Sequence, residues 1–296
     1  EVIVKRVYSP GTGISIEASI GALPRGGFFP VRVEMVSKKS EAISWTIEAE
    51  VDQHSDYHHL GRKDAPKIDT TFRVECPAGS NKVTELLIPI HRGQTGHYDD
   101  SISQAVSLVV RSSAFPDDVE RGLFSAPIIA SSHKIALSPN LISKFQGELR
   151  KVWENLERGR SRNYRSYSRG GSVEPYENIF EPSSLFEDWR AYAGYDALVF
   201  TREEYLATTI GVKSALDQWV QSGGHLIVLN RGPAVSIPGF DKRVSHEGFG
   251  CRRIIECGDE FDLTDAEILI GLLDIESPYQ AVDDRLRKVG GDKGDL

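Results

Sequence analysis

The sequence predicts two domains of different class, an antiparallel β-sandwich followed by an α/β domain, and three observations carry that reading. From Ile14 to about Ala130 apolar and polar residues alternate with period two, the mark of strands with one dry face and one wet face. Around His133 this pattern gives way to short, wholly apolar runs separated by stretches with three- and four-residue apolar spacing. The chain has 296 residues and is 40% apolar, enough to fill two cores. The expected boundaries are 1–131 for the sandwich, 132–276 for the α/β domain and 277–296 for a linker or tail, whose "RKVGGDKGDL" ending has linker composition.

In the first domain "ISWTIEAEV" is the clearest strand. Ile43, Trp45, Ile47, Ala49 and Val51 fall on one face, and Ser44, Thr46, Glu48 and Glu50 on the other, as the pleat requires. "FFPVRVEMV" directs Phe29, Val31, Val33 and Met35 inward, while "FRVEC", "VTELLIPI" and "QAVSLVVRS" continue the alternation. Six or seven such strands, with no helical period between them, predict a sandwich of immunoglobulin-like architecture, without the cysteine pair and tyrosine corner of antibody domains. Cys76, in phase with Phe72 and Val74, is expected as a buried thiol.

In the second domain "HKIALS" reads as a short strand and "LISKFQGELRKVWENLER" as a helix with a stripe of Ile142, Phe145, Leu149, Val152, Trp153 and Leu156. "YDALVF" is expected as a central parallel strand because its apolar run is continuous. The next helix places Val212, Ala215, Leu216, Trp219 and Val220 on one face and stops at Ser222-Gly223-Gly224. Glycine there adopts positive φ without a Cβ clash and turns the chain into the buried strand "HLIVLN". A phosphate loop needs its glycines after a strand and before a helix, so this pair is read as a helix stop. "GFGCRRIIECGD" supplies a further strand, with Cys251 and Cys257 on one face but ~20 Å apart, too far to bond each other. "LTDAEILIGLLDI" opens on a capping box of Thr264 and Glu267.

From Gly194 to Asn230 the stretch "GYDALVFTREEYL…VKSALDQWVQSGGHLIVLN" resembles the class I glutamine-amidotransferase-like superfamily, with a looser likeness out to His133 and Asp259. The resemblance implies a flavodoxin-like, three-layer α/β fold. Members that work as amidotransferases carry a cysteine on a glycine-flanked strand-to-helix elbow, where strain exposes the thiolate beside backbone N–H donors. Here the corresponding turn reads Asn230-Arg231-Gly232-Pro233, which offers no thiol or hydroxyl and loses an N–H at Pro233. Bacterial domains of this kind joined to a β-sandwich look like extracytoplasmic parts of integral membrane proteins, and that location is expected by resemblance alone.

Open α/β sheets place ligands beyond the C-terminal ends of their strands, which selects Thr201, Arg202, Asn230 and Arg231 as candidate ligand-binding residues for a small anion or peptide carboxylate. Arg150–Gly171, with seven basic residues against two acidic ones, offers Arg160, Arg162, Arg165 and Arg169 interleaved with Tyr164 and Tyr167. A mobile surface loop is the plainer reading of that segment; contact with an acidic partner or lipid headgroups, or with nucleic acid, is the functional one. His54, His58 and His59 gather with Asp52, Asp56 and Asp64 between two sandwich strands, where solvation explains them better than a metal site. Glu187 and Asp188, adjacent in sequence, point to no paired acid–base function. An enzymatic alternative would use Cys251 with His246, five residues before it.

Thirty-five basic against 43 acidic side chains leave a formal charge of −8, which argues against a general polyanion binder. Three scattered cysteines form no disulfide framework. The first residue is Glu1, and we expect a portion of a longer protein whose membrane segments lie outside it. The expected function is a noncatalytic interaction or scaffolding module with a protein partner, without cofactor or metal. The alternatives are a hydrolase or amidotransferase-related enzyme, and binding of anionic ligands or nucleic acid through the arginine-rich loop.

Overall fold

The computed structural model describes residues 2–8, 11–21, 23–24, 26–55, 67–90, 102–128, 135–141, 180–231, 237–238, 240 and 244–257. Chain contacts divide the protein into two compact units at Ser132/His133, with Ser184–Phe186 clustering with the first. The loop of His58 and His59, the helix expected after Pro139 beyond Leu141, the loop of Arg160, Arg162, Arg165 and Arg169, the Thr264/Glu267 box and the tail lie outside the described residues.

The first unit is a β-sandwich of two four-stranded antiparallel sheets. One sheet runs β1 (Val2–Tyr8), β2 (Thr12–Ala18), β3 (Gly27–Val36), β6 (Asn81–Ile90); the other runs β5 (Ile68–Cys76), β4 (Ile43–Ser55), β7 (Ile102–Ser112), β8 (Phe115–Ile128). The alternation read from the sequence is the alternation of burial. Phe29, Val31, Val33 and Met35 of β3 and Trp45, Ile47, Ala49 and Val51 of β4 all enter one core with Ile16, Ile88, Val106, Leu108 and Val110. Each Val, Leu, Ile, Phe or Met side chain among them contributes about 1.5–3 kcal/mol on burial. Rings close the core from both sheets, Phe29 against Phe124 at 5.0 Å and Tyr8 stacked on Phe115 at 4.3 Å. Cys76 is buried and free, in phase with half-buried Phe72 and Val74.

Eight strands are described where six or seven were expected, and the additional one is β1, which precedes the expected start at Ile14. Its pattern, "VIVKRVY", buries only Val4 and Tyr8 and leaves Val2 and Val7 exposed, so alternation is weak at the rim of the sandwich. Gly122 of β8 is what admits it. A Cβ there would lie 2.6 Å from the Ile3 carbonyl oxygen and 2.5 Å from the Val4 side chain.

The second unit holds a five-stranded sheet in the order β12 (Val244–Glu247), β13 (Gly250–Cys257), β11 (His225–Arg231), β10 (Ala197–Thr201), β9 (Ile135–Leu137). The last four in that order are parallel to their neighbours, while β12 pairs antiparallel with β13. Between β10 and β11 lie helices α1 (Arg202–Ala207) and α2 (Ile210–Gln221). The buried residues of α2 are the five that its spacing selects, Val212, Ala215, Leu216, Trp219 and Val220. Its end is a Schellman turn: Gly224 N–H donates to Trp219 O and Gly223 N–H to Val220 O, both at 3.0 Å. The two glycines act for different reasons. Gly223 takes φ 119°, whereas a Cβ on Gly224 would enter the Trp219 indole.

Candidate functional site

The C-terminal ends of β10, β11 and β13 form a crest on the parallel sheet. Thr201 lies opposite Leu229, and Asn230 and Arg231 lie opposite Glu256 and Cys257. Asn230 and Arg231, read from the sequence as a turn, are the last two residues of β11. The next two residues of the expected turn, Gly232 and Pro233, lie outside the described residues.

Thr201 is committed to the fold. Its hydroxyl accepts from Glu204 N–H at 3.3 Å, and the Glu204 carboxylate accepts from Thr201 N–H and from its hydroxyl, each at 2.9 Å. This reciprocal box starts α1, and the sequence carries its signature, Thr-x-x-Glu, which the ligand reading passed over. The other Glu204 oxygen accepts from Asn140 Nδ2 at 2.8 Å, so both oxygens of this buried carboxylate are bonded. Arg202, the first residue of α1, is half-buried, and its Nε is buried with no hydrogen-bond partner among the described residues.

Asn230 is 0% exposed, and its Nδ2 donates to Glu256 Oε2 at 2.8 Å. Its Oδ1 has no donor among the described residues. Glu256, half-buried, is the crest residue that sequence reasoning missed. The signal lay in the equal lengths of "HLIVLNR" and "CRRIIEC": pairing two parallel seven-residue runs end to end sets Asn230 beside Glu256.

At the other end of the same sheet, Cys251 lies between two histidines in register, opposite His225 on β11 and opposite His246 on β12. The juxtaposition of Cys251 and His246 expected for the enzymatic alternative is thus present in the backbone. The thiol is 2% exposed, its sulfur accepts from Arg253 Nε at 3.3 Å, and it donates to Arg252 O at 3.6 Å. His246 is exposed. Neighbouring Arg252, buried, is paired with Asp217 of α2 at 2.8 Å and Glu247 of β12 at 2.9 Å, tying the β12–β13 hairpin to the helix. Burial raises the Asp217 pKa, the Arg252 charge opposing it. Burial likewise raises Tyr205, helped by the charge of Asp217.

The adjacent acids of "FEDW" have separate structural tasks. Glu187 accepts from the hydroxyl of Thr209, the N-cap of α2, at 2.9 Å. Asp188 caps the 3-10 turn Trp189–Tyr192 through Arg190 N–H at 3.0 Å, and its hydrogen bonds from the Arg190 guanidinium hold its carboxyl below the usual range. No cluster of three or more His, Cys, Asp or Glu with metal-binding geometry occurs among the described residues. No helix among them is long and apolar enough to cross a membrane.

No protein-family model matches the chain. No curated protein matches it either. Among solved structures, it is similar to a calcium-binding mutant of Bacteroides uniformis β-glucuronidase 2 at 6% identity and TM-score 0.25, over 76% of this chain and 24% of that one. The sporulation control protein Spo0M of Bacillus subtilis aligns at 12% identity and TM-score 0.24, over 48% of this chain and 54% of that one. A GH2 β-galacturonidase of Eisenbergiella tayi aligns at 9% identity and TM-score 0.22, over 78% and 32%. The chain thus spans from a quarter to about half of these proteins, and likenesses of this degree assign it neither family nor activity.

Proposed function

We propose that the protein is a noncatalytic recognition module, in which an immunoglobulin-like sandwich carries a flavodoxin-like domain related to class I glutamine amidotransferases but without their nucleophile. The observation that carries this reading is the occupation of the crest. The strand preceding the expected elbow ends in an amide and a guanidinium, Asn230 and Arg231, neither able to attack a carbonyl. Thr201 is held in a helix cap and Glu204 has both oxygens bonded. What remains, Arg202, Asn230 and Glu256, suits binding. The resemblance and the acidic charge fit an extracytoplasmic module of a bacterial membrane protein that meets a protein partner or a membrane-proximal assembly.

The second reading, a thiol hydrolase, is favoured by one observation, the register pairing of His246 with Cys251. Against it, the thiol is buried and engaged by Arg253. A screen of esterase, amidase and glutaminase substrates, before and after iodoacetamide, separates the two. We expect no turnover and slow alkylation of Cys251; turnover abolished by Cys251→Ala would replace the recognition reading with the enzymatic one.

A further inference from the structure

We propose that the crest takes a protonated amine, held between the Glu256 carboxylate and the Asn230 carbonyl oxygen; this rests on the recognition reading and gives it a ligand class. Asn230 and Glu256 are direct partners on adjacent strands, and the 2.8 Å bond from Asn230 Nδ2 uses one of the four oxygen-acceptor positions of Glu256. The amide oxygen beside that bond is fully buried and has no donor among the described residues. Buried acceptors of this kind call for a donor. Glu256 itself is half-buried and has no cationic partner among the described residues.

The other crest carboxylate does not compete. Glu204 spends its oxygens on Asn140 and on the Thr201 cap. Arg202 begins its helix at the end of β10, two strand spacings or about 10 Å from β13, with Asn230 on the strand between. The pair on β11 and β13 is therefore acceptor-rich, and an ammonium brings three donors and the opposite charge to it. An anion there would meet a carboxylate and an amide oxygen. The amine belongs either to a free polyamine or to a lysine side chain of a partner peptide.

The test is a titration of the whole chain with spermidine, with a blocked Ala-Lys-Ala peptide and with propionate, read by amide chemical shifts of β11 and β13. We expect both amines to shift these resonances, and Glu256→Gln to weaken amine binding about tenfold or more. Tighter binding of spermidine or of the peptide tells which source is used. Amine affinity equal in wild type and Glu256→Gln, or no amine binding at all, overturns the proposal. Propionate binding lost in Arg202→Gln, with no amine binding, would remove the amine yet leave the recognition reading in place; turnover dependent on Cys251 would remove that reading itself.

Discussion

The two β-structures of this chain dispose of their polar residues in opposite ways. In the sandwich every strand has a wet face, so Glu48, Glu50, Arg111 and their neighbours are spread along its length, and Arg111 meets Glu48 in a surface ion pair. The parallel sheet has no such outlet. β10 buries Ala197, Leu198, Val199 and Phe200 without interruption, and β11 buries Leu226 through Asn230. Polar groups are therefore pushed to the strand ends, where Thr201, Asn230 and Glu256 collect at one end and Cys251, Arg252 and His246 at the other. A sheet covered on both faces concentrates its chemistry at its rims. A sheet with one open face dilutes it.

The comparison breaks first where the sandwich core is opened. Trp45 is fully buried between the sheets, its ring 5.7 Å from that of Tyr8. Trp45→Ala should cost about 3–5 kcal/mol through the cavity left behind. Trp45→Phe should cost far less, since the indole N–H has no hydrogen-bond partner among the described residues and its removal forfeits no bond. Hydrogen exchange resolved by peptide should show the loss in β3, β4 and β7 while β10 and β11 keep their protection. Equal loss in both units would mean that they unfold together.

A smaller effect is expected in the second unit from Gly224→Ala. The added methyl enters the Trp219 ring, and overpacking of this kind costs about 1–3 kcal/mol. Gly223→Ala strains the backbone at φ 119° instead, by a comparable amount. Exchange protection of α2 and β11 should fall in both variants. Retention in Gly224→Ala alone would show that the tryptophan can move aside.

These glycines mark how far the sequence could be read. The stop after α2 was legible because "SGG" after an amphipathic run is local chemistry, and the buried faces of β3, β4 and α2 were legible because periodicity is local too. The crest was legible only in part. Thr201, Arg202, Asn230 and Arg231 were selected by a rule about strand ends, and they do lie at the ends of β10 and β11; but Thr201 belongs to a cap, and Glu256, beside Asn230, was absent from the set. Pairing of β13 with β11 joins residues 26 apart in sequence, and the equal lengths of the two runs are a far weaker signal than local periodicity. β12 was missed for a related reason. Four residues, "VSHE", carry too little alternation to be seen without their partner strand.

The finest distinction lies between two aspartates of the second unit, one at a rim of the sheet and one at the surface. Asp217 reaches Arg252 from α2, and burial outweighs that partner, so its carboxyl holds a proton above the ordinary value of 3.8. Asp188 is held by Arg190 and releases its proton below 3.8. Their contributions to stability therefore run in opposite directions. The folded state binds the Asp217 proton more tightly than the unfolded chain does, so this contribution is full at pH below 3.8 and is lost as pH rises through the raised folded value. For Asp188 the contribution is full above 3.8 and is lost as pH falls through the lowered one. A carboxyl-detected titration should place the two midpoints on either side of 3.8, and Asp217→Asn should reduce the loss of stability on raising the pH while Asp188→Asn reduces the loss on lowering it. If Asp217 titrated below 3.8, the Arg252 charge would outweigh burial, and the hairpin would be held to α2 by a pair that strengthens rather than weakens as its carboxylate ionises.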